Sequence, residues 1–129
     1  MIIESGELKI TLFSFGFKHG YPEADTVWDV RFLPNPYWIP ELREHSGLEG
    51  PVAAYVLENK TGQHFLAHFE PFVSFILSSH EAAGRKELIL AVGCTGGRHR
   101  SVAVTDYLQK ILADTKFDLN VYHRDIRKK

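Results

Sequence analysis

The sequence predicts an α/β fold, a small mixed or parallel sheet with flanking helices. Short apolar runs with strand character stand at Leu8–Phe15, Glu87–Val92 and Phe117–Tyr122. Segments of helical periodicity separate them. The last two runs frame a strand–loop–helix–strand unit, and such units close as right-handed parallel crossovers.

Taken in order, "LKITLFSF" (Leu8–Phe15) alternates and is rich in β-branched and aromatic residues, so it reads as a strand. "GFKHGYPEA" (Gly16–Ala24) is a loop. "TVWDVRF" (Thr26–Phe32) is a second strand, with Val27, Asp29 and Arg31 on one face. The next stretch holds Pro34, Pro36, Pro40 and Pro51, which rules out a long helix or a central strand. It reads as an ordered loop with short turns. Pro51 suits a first helical position. Phe65, Phe69, Phe72, Val73 and Ile76 recur at helical spacing, and Pro71 among them predicts a kink or two abutting helices. Gly84 suits a helix end. Glu87–Val92 has the composition of a buried strand. Val104, Leu108, Ile111 and Leu112 define a helix from Ser101, and Phe117–Tyr122 is the last strand. Trp28, Trp38 and the phenylalanines are expected in the core.

The 129 residues suit one domain, 1–129. The apolar share is 44% and the net charge −1, so no global field drives the chain onto nucleic acid or membrane. The single cysteine excludes a disulfide framework and fits a reducing, cytoplasmic compartment. Met1–Glu7 lacks the pattern of a signal peptide, and no stretch approaches the ~18 apolar residues of a membrane span.

The chemistry concentrates in "VGCTGGRHRSV" (Val92–Val102), between a strand and a helix. Gly96 and Gly97 let backbone amides turn sharply and approach a ligand closely. The following helix start favours negative charge. Arg98 and Arg100 offer forked donors, and Thr95 and Ser101 add hydroxyls. These features converge on an anion, with phosphate the natural choice. The bland alternative is a tight turn with solvated arginines. A P-loop is excluded, since no G-x-x-x-x-G-K-[ST] string occurs. Cys94 and Arg100–Ser101 also form C-x5-R-S, the phosphate-loop pattern of cysteine-dependent phosphatases, in which Cys94 and Arg100 would be catalytic. Gly93 departs from that pattern, where histidine is usual. The competing reading of Cys94 is a small buried hydrophobe.

Lys18 and His19 can join the same anion site from their glycine-flanked loop. His64 and His68 have a metal-compatible i, i+4 spacing without a third ligand, so no metal is expected. His123, Arg124, Arg127, Lys128 and Lys129 form a basic tail, read either as a disordered charged end or as an RNA-backbone contact.

"SFGFKHG" (Ser14–Gly20), "DVRFLPNPYW" (Asp29–Trp38), "GLEGPVAAYV" (Gly47–Val56), "VGCTGGRHRSV" and "YHRDIRKK" (Tyr122–Lys129) resemble the C-terminal domain of the RapZ/YvcJ family in order and spacing. The resemblance implies a fold similar to part of a phosphofructokinase, here without the family's N-terminal P-loop kinase-like domain. The family's best-understood member is an RNase adaptor that binds small RNAs and senses glucosamine-6-phosphate. Relatives are linked to UDP-N-acetylglucosamine. The resemblance therefore implies a phosphosugar or nucleotide-sugar ligand and no cofactor. It implies further partners in a small RNA and in a nuclease or kinase-like protein, and self-association as a homo-oligomer such as a dimer. By motif, Thr95, Gly96, Gly97, Arg98, His99, Arg100 and Ser101 would line the phosphosugar site, with Asp29 and Arg31 meeting the sugar or its amine. Tyr37 stands where the adaptor has histidine and Arg98 where it has lysine.

Overall fold

The computed structural model describes residues 8–129; Met1–Glu7, read above for a leader, lies outside them. Strands β1 (Lys9–Gly16), β2 (Thr26–Asp29), β3 (Glu87–Cys94) and β4 (Asp118–His123) form one sheet in the order β2-β3-β1-β4. Every pairing is parallel. Helices α1 (Pro40–Arg43), α2 (Gly50–Leu57) and α3 (Lys60–Ala82) lie between β2 and β3, and α4 (Arg100–Leu112) between β3 and β4. The crossover through α4 thus joins strands that are not neighbours, because β1 lies between them.

Position in the sheet explains the composition of the strands. β1 and β3 are central and nearly continuously buried, as their apolar runs require. β2 and β4 are edges and alternate between exposed and half-buried residues. Ile10, Leu12, Leu88, Leu90 and Val92 face the helices and meet Val73, Leu77, Val104 and Leu108 there. Each such leucine contributes about 2 kcal/mol through burial. Phe13, Phe15 and Ala91 occupy the opposite face, where Phe17 and Ala24 of the β1–β2 connection pack on them.

Several expectations need correction. β2 stops at Asp29, short of Phe32. The Asp29 carboxylate accepts from the Arg31 amide at 2.9 Å, and Leu33 N–H bonds back to Val30, which turns the chain out of the sheet. α3 runs unbroken through Pro71. Pro71 and Ala67 are both exposed, so water can serve the carbonyl that loses its donor. The basic tail is a folded turn, and Arg124 N–H bonds Ser14 O at 2.9 Å. Trp38, Phe32, Phe72 and Phe75 are exposed, not core. Among the described residues no helix is long and apolar enough to cross a membrane.

Candidate functional site

Because all four strands run the same way, their carboxyl ends share one edge of the sheet. The segments that follow them meet there: the Phe17–His19 turn after β1, the Val30–Leu33 turn after β2, Thr95–His99 after β3, and the C-terminal turn after β4. The β3–α4 loop is fastened on several sides. Thr95 O accepts from Lys18 N–H at 3.1 Å, and Arg98 O accepts from Gly47 N–H at 2.8 Å. Gly97 has φ +80°, and a Cβ there would stand 2.5 Å from Gly16 N and 2.9 Å from the Asp125 Cβ. Gly96 has open space instead. The sequence therefore places a structural glycine next to one that only faces the cavity.

That cavity, about 510 Å³, opens between the loop and the segment from Asn35 to Glu44. Thr95, Gly96 and Arg100 form one wall; Lys18, Arg98, Lys128 and Lys129 bring charge from around it. Asp125 pairs with Lys128, and Glu44 stands 3.9 Å from Lys129. Lys18, Arg43, Arg98 and Arg100 have no carboxylate partner among the described residues.

Arg100, the first residue of α4, is 6% exposed. Its Nη1 donates to the carbonyls of Arg31 (2.5 Å) and Leu33 (3.4 Å), and its Nη2 to Thr95 Oγ1 at 3.4 Å. Its buried Nε has no partner. A guanidinium taken out of water without a carboxylate is costly, and an anion in the cavity would offset that cost. Arg98 straps the loop to its surroundings, donating from Nε to Ile126 O and from Nη2 to Glu44 O. His99 donates from Nε2 to Arg43 O at 3.0 Å and fixes the start of α4 against α1.

The C-terminal turn closes the site from below. Asp125 is fully buried and accepts from Gly16 N–H at 2.7 Å, from Arg124 at 2.9 Å and from Lys128 at 2.7 Å. Burial raises its pKa, but the bonds from Arg124, the Gly16 amide and Lys128 outweigh that and hold it at about 2. Arg124 also donates to Gly20 O at 2.7 Å.

The family model for the RapZ C-terminal domain matches residues 8–127. The chain belongs to that family. A nucleotide-binding protein of Nitratidesulfovibrio vulgaris is 51% identical over 91% of the chain and 40% of its own length. One of Corynebacterium glutamicum is 50% identical over 92% and 39%, and one of Clostridium perfringens 46% identical over 92% and 41%. The chain thus spans about 40% of the length of these curated relatives.

In this RapZ C-terminal domain the residues singled out by sequence do not all reach the cavity. Thr95, Gly96, Arg98, His99, Arg100 and Cys94 line it, as do Lys18, Lys128 and Lys129. Gly97 and Ser101 lie buried beneath it. Ser101 Oγ accepts from the Cys94 thiol at 3.1 Å. Gly93 admits no side chain, since a Cβ would stand 2.4 Å from the Phe15 ring. Asp29 and Arg31 pair with each other at 2.7 Å beside Arg100, with the Arg31 guanidinium 4.1 Å from the Phe17 ring centroid. Arg31 lowers the Asp29 pKa through that hydrogen bond. His19 has a buried Nε2 without a partner and does not line the cavity. His123 contacts Ser14 Oγ at 2.7 Å, and Arg127 is exposed.

Sequence reasoning missed Tyr37, Trp38 and Arg43 as lining residues. The available signal was aromatic residues in a proline-framed segment without helical or strand periodicity, which gives them no reason to be core.

Burial holds the pKa of His99 and of His123 below the ordinary histidine value; hydrogen bonds to the Arg43 and His45 backbone oppose this at His99, and the Asp106 charge opposes it at His123. A depressed folded pKa contributes stability that is present above the unfolded value of about 6.5 and lost as pH falls below it. Denaturant midpoints measured from pH 7.5 to 5 are expected to fall, and His99→Gln should reduce that slope. An unchanged slope in the variant would contradict a neutral, buried His99.

Proposed function

We propose that this domain binds a phosphorylated small molecule, a phosphosugar or nucleotide-sugar, at the Thr95–Arg100 loop and acts as a regulatory sensor. The observation that carries this reading is Arg100: a buried guanidinium with an unpartnered Nε, at a helix start, bonded to carbonyls and a hydroxyl but to no carboxylate, the nearby Asp29 being taken up by Arg31. Lys18 and Arg98 add unpaired positive charge, and the Gly96 backbone is open to a ligand. The relatives' printed name, nucleotide-binding protein, supports a nucleotide-type ligand, although that name is given to chains much longer than this one. The occupied site would be read by a partner, a small RNA or a nuclease or kinase-like protein, near the C-terminal turn that shares the cavity wall.

The test is calorimetric titration with glucosamine-6-phosphate, glucosamine and inorganic phosphate. The phosphosugar is expected to bind saturably and glucosamine not at all. Thr95→Val and Arg100→Lys are expected to weaken it roughly tenfold or more, the worth of a charge-assisted hydrogen bond. Thr95→Val also takes the Oγ1 acceptor from Arg100 Nη2, so its melting temperature is measured beside its affinity, and lost binding in a variant that remains folded counts for the reading. Phosphate release in the same tubes, abolished by Cys94→Ser, would replace this reading with a cysteine-type phosphatase. Failure of every phosphorylated compound to bind would sink it.

A further inference from the structure

Trp38 is 70% exposed and Tyr37 49%, although both are large aromatic residues. Exposed side chains of that size are usually mobile or covered by a partner. These two are neither loose nor remote from the site. They sit in a short 3-10 turn, Pro36–Trp38, capped by Asn35, whose side chain accepts from Tyr37 N–H at 3.1 Å. Pro34, Pro36 and Pro40 fix φ around them. The rings meet edge to face with centroids 5.1 Å apart. Arg43 packs on Tyr37, its guanidinium 4.9 Å from the ring centroid and its Nε donating to Tyr37 O at 2.7 Å. Both rings line the cationic cavity. The result is a rigid aromatic wall facing a phosphate-sized cluster of charge.

The charge also exceeds what one phosphate requires. Lys18, Arg43, Arg98 and Arg100 line the cavity without a carboxylate partner among the described residues, whereas Lys128 and Lys129 are taken up by Asp125 and Glu44. Ligand cavities of about this volume enclose molecules much larger than a phosphate ion.

We infer that the cavity takes a nucleoside diphosphate moiety, with the diphosphate at the Thr95–Arg100 loop and the nucleobase stacked on Trp38. This rests on the phosphate-binding reading above and adds the base. Every nucleobase presents a π-face, so the platform selects for the presence of a base more than for its identity.

The experiment titrates pyrophosphate, uridine diphosphate, adenosine diphosphate and glucosamine-6-phosphate into wild type, Trp38→Phe and Trp38→Ala, by calorimetry and tryptophan fluorescence. Both nucleotides are expected to bind roughly tenfold or more tightly than pyrophosphate. Trp38→Ala should erase that advantage and leave pyrophosphate binding as it was, while Trp38→Phe should retain most of it. The fluorescence change should vanish in Trp38→Phe, since the remaining Trp28 packs on Phe69 inside the fold. Equal binding of pyrophosphate and the nucleotides would overturn the inference while sparing the phosphate site. So would a Trp38→Ala effect confined to glucosamine-6-phosphate, which would make the wall a sugar platform. Absence of binding by all four compounds, pyrophosphate included, would remove the phosphate site and the base platform together.

Discussion

Gly97→Ala is expected to destabilise the protein by about 3 kcal/mol or more, lowering the melting temperature by on the order of 10 °C. The two neighbouring glycines of the loop make this a sharp test. At Gly97 a methyl group meets a left-handed backbone, φ +80°, and would stand 2.5 Å from Gly16 N and 2.9 Å from the Asp125 Cβ. The left-handed conformation alone costs about 1–2 kcal/mol for a residue with a side chain. The clash adds to this because backbone on one side and a fully buried Asp125 on the other cannot give way. At Gly96 the same methyl meets nothing within 4 Å. Gly96→Ala should therefore shift stability by less than about 1 kcal/mol, though it narrows the cavity and should weaken phosphate binding. Thermal melts of the two variants side by side decide the matter. Similar losses in both would mean that the packing of Gly97 on Gly16 and Asp125 does not hold the loop.

Asp125→Asn is expected to have the second large effect. The wild-type carboxylate accepts from the Gly16 amide, Arg124 and Lys128 while fully buried. Replacing it leaves those donors facing a neutral amide, and breaking a buried ionic cluster in this way costs roughly 3 kcal/mol. The acid limb gives an independent reading. With a folded pKa of about 2 against an ordinary 3.8, the carboxylate contributes stability above pH ~4 that is lost as pH falls toward 2. The contribution is about 2 kcal/mol. The stability gap between wild type and Asp125→Asn should therefore narrow by about 2 kcal/mol over that interval. Lys128→Ala removes a half-exposed partner and should cost less than about 1 kcal/mol. A variant Asp125→Asn as stable as wild type at neutral pH would show that the C-terminal turn is held by its backbone alone.

Much of the fold was legible from hydrophobic runs. The strands fall within two residues of their expected positions, except that β2 ends early. That exception depended on a side chain: the Asp29 carboxylate captures the amide two residues on, a contact that alternation does not register. Strand order was not legible. Nothing local in "LKITLFSF" says that it will lie between β3 and β4; only its near-continuous burial hints at a central place. In the site, the loop from Thr95 to Arg100 was visible because glycines, arginines and a helix start are local signals. The disordered reading of the basic tail fails because its main anchor is Asp125, whose burial comes from contacts with Gly16 and Gly97 far away in sequence. Trp38 was misread for the converse reason: size predicts burial, and the prolines that hold the ring out in the open carry no hydrophobic pattern.

The central place of β1 has a consequence for how the chain acquires its structure. Lys9 pairs with Glu87 on one side and with Asp118 on the other. Of the four strands of the sheet, β1 is made first and waits for β4, made last, before its second row of hydrogen bonds can form. Closing such long loops is slow, and pairing across them raises contact order. Refolding should be slow for a chain of this size, and on the ribosome the sheet can complete only once His123 has cleared the exit tunnel. The turn from Arg124 to Lys129, which lines the cavity with Lys128 and Lys129, follows β4, so that completing the sheet and completing the proposed anion site become the same event.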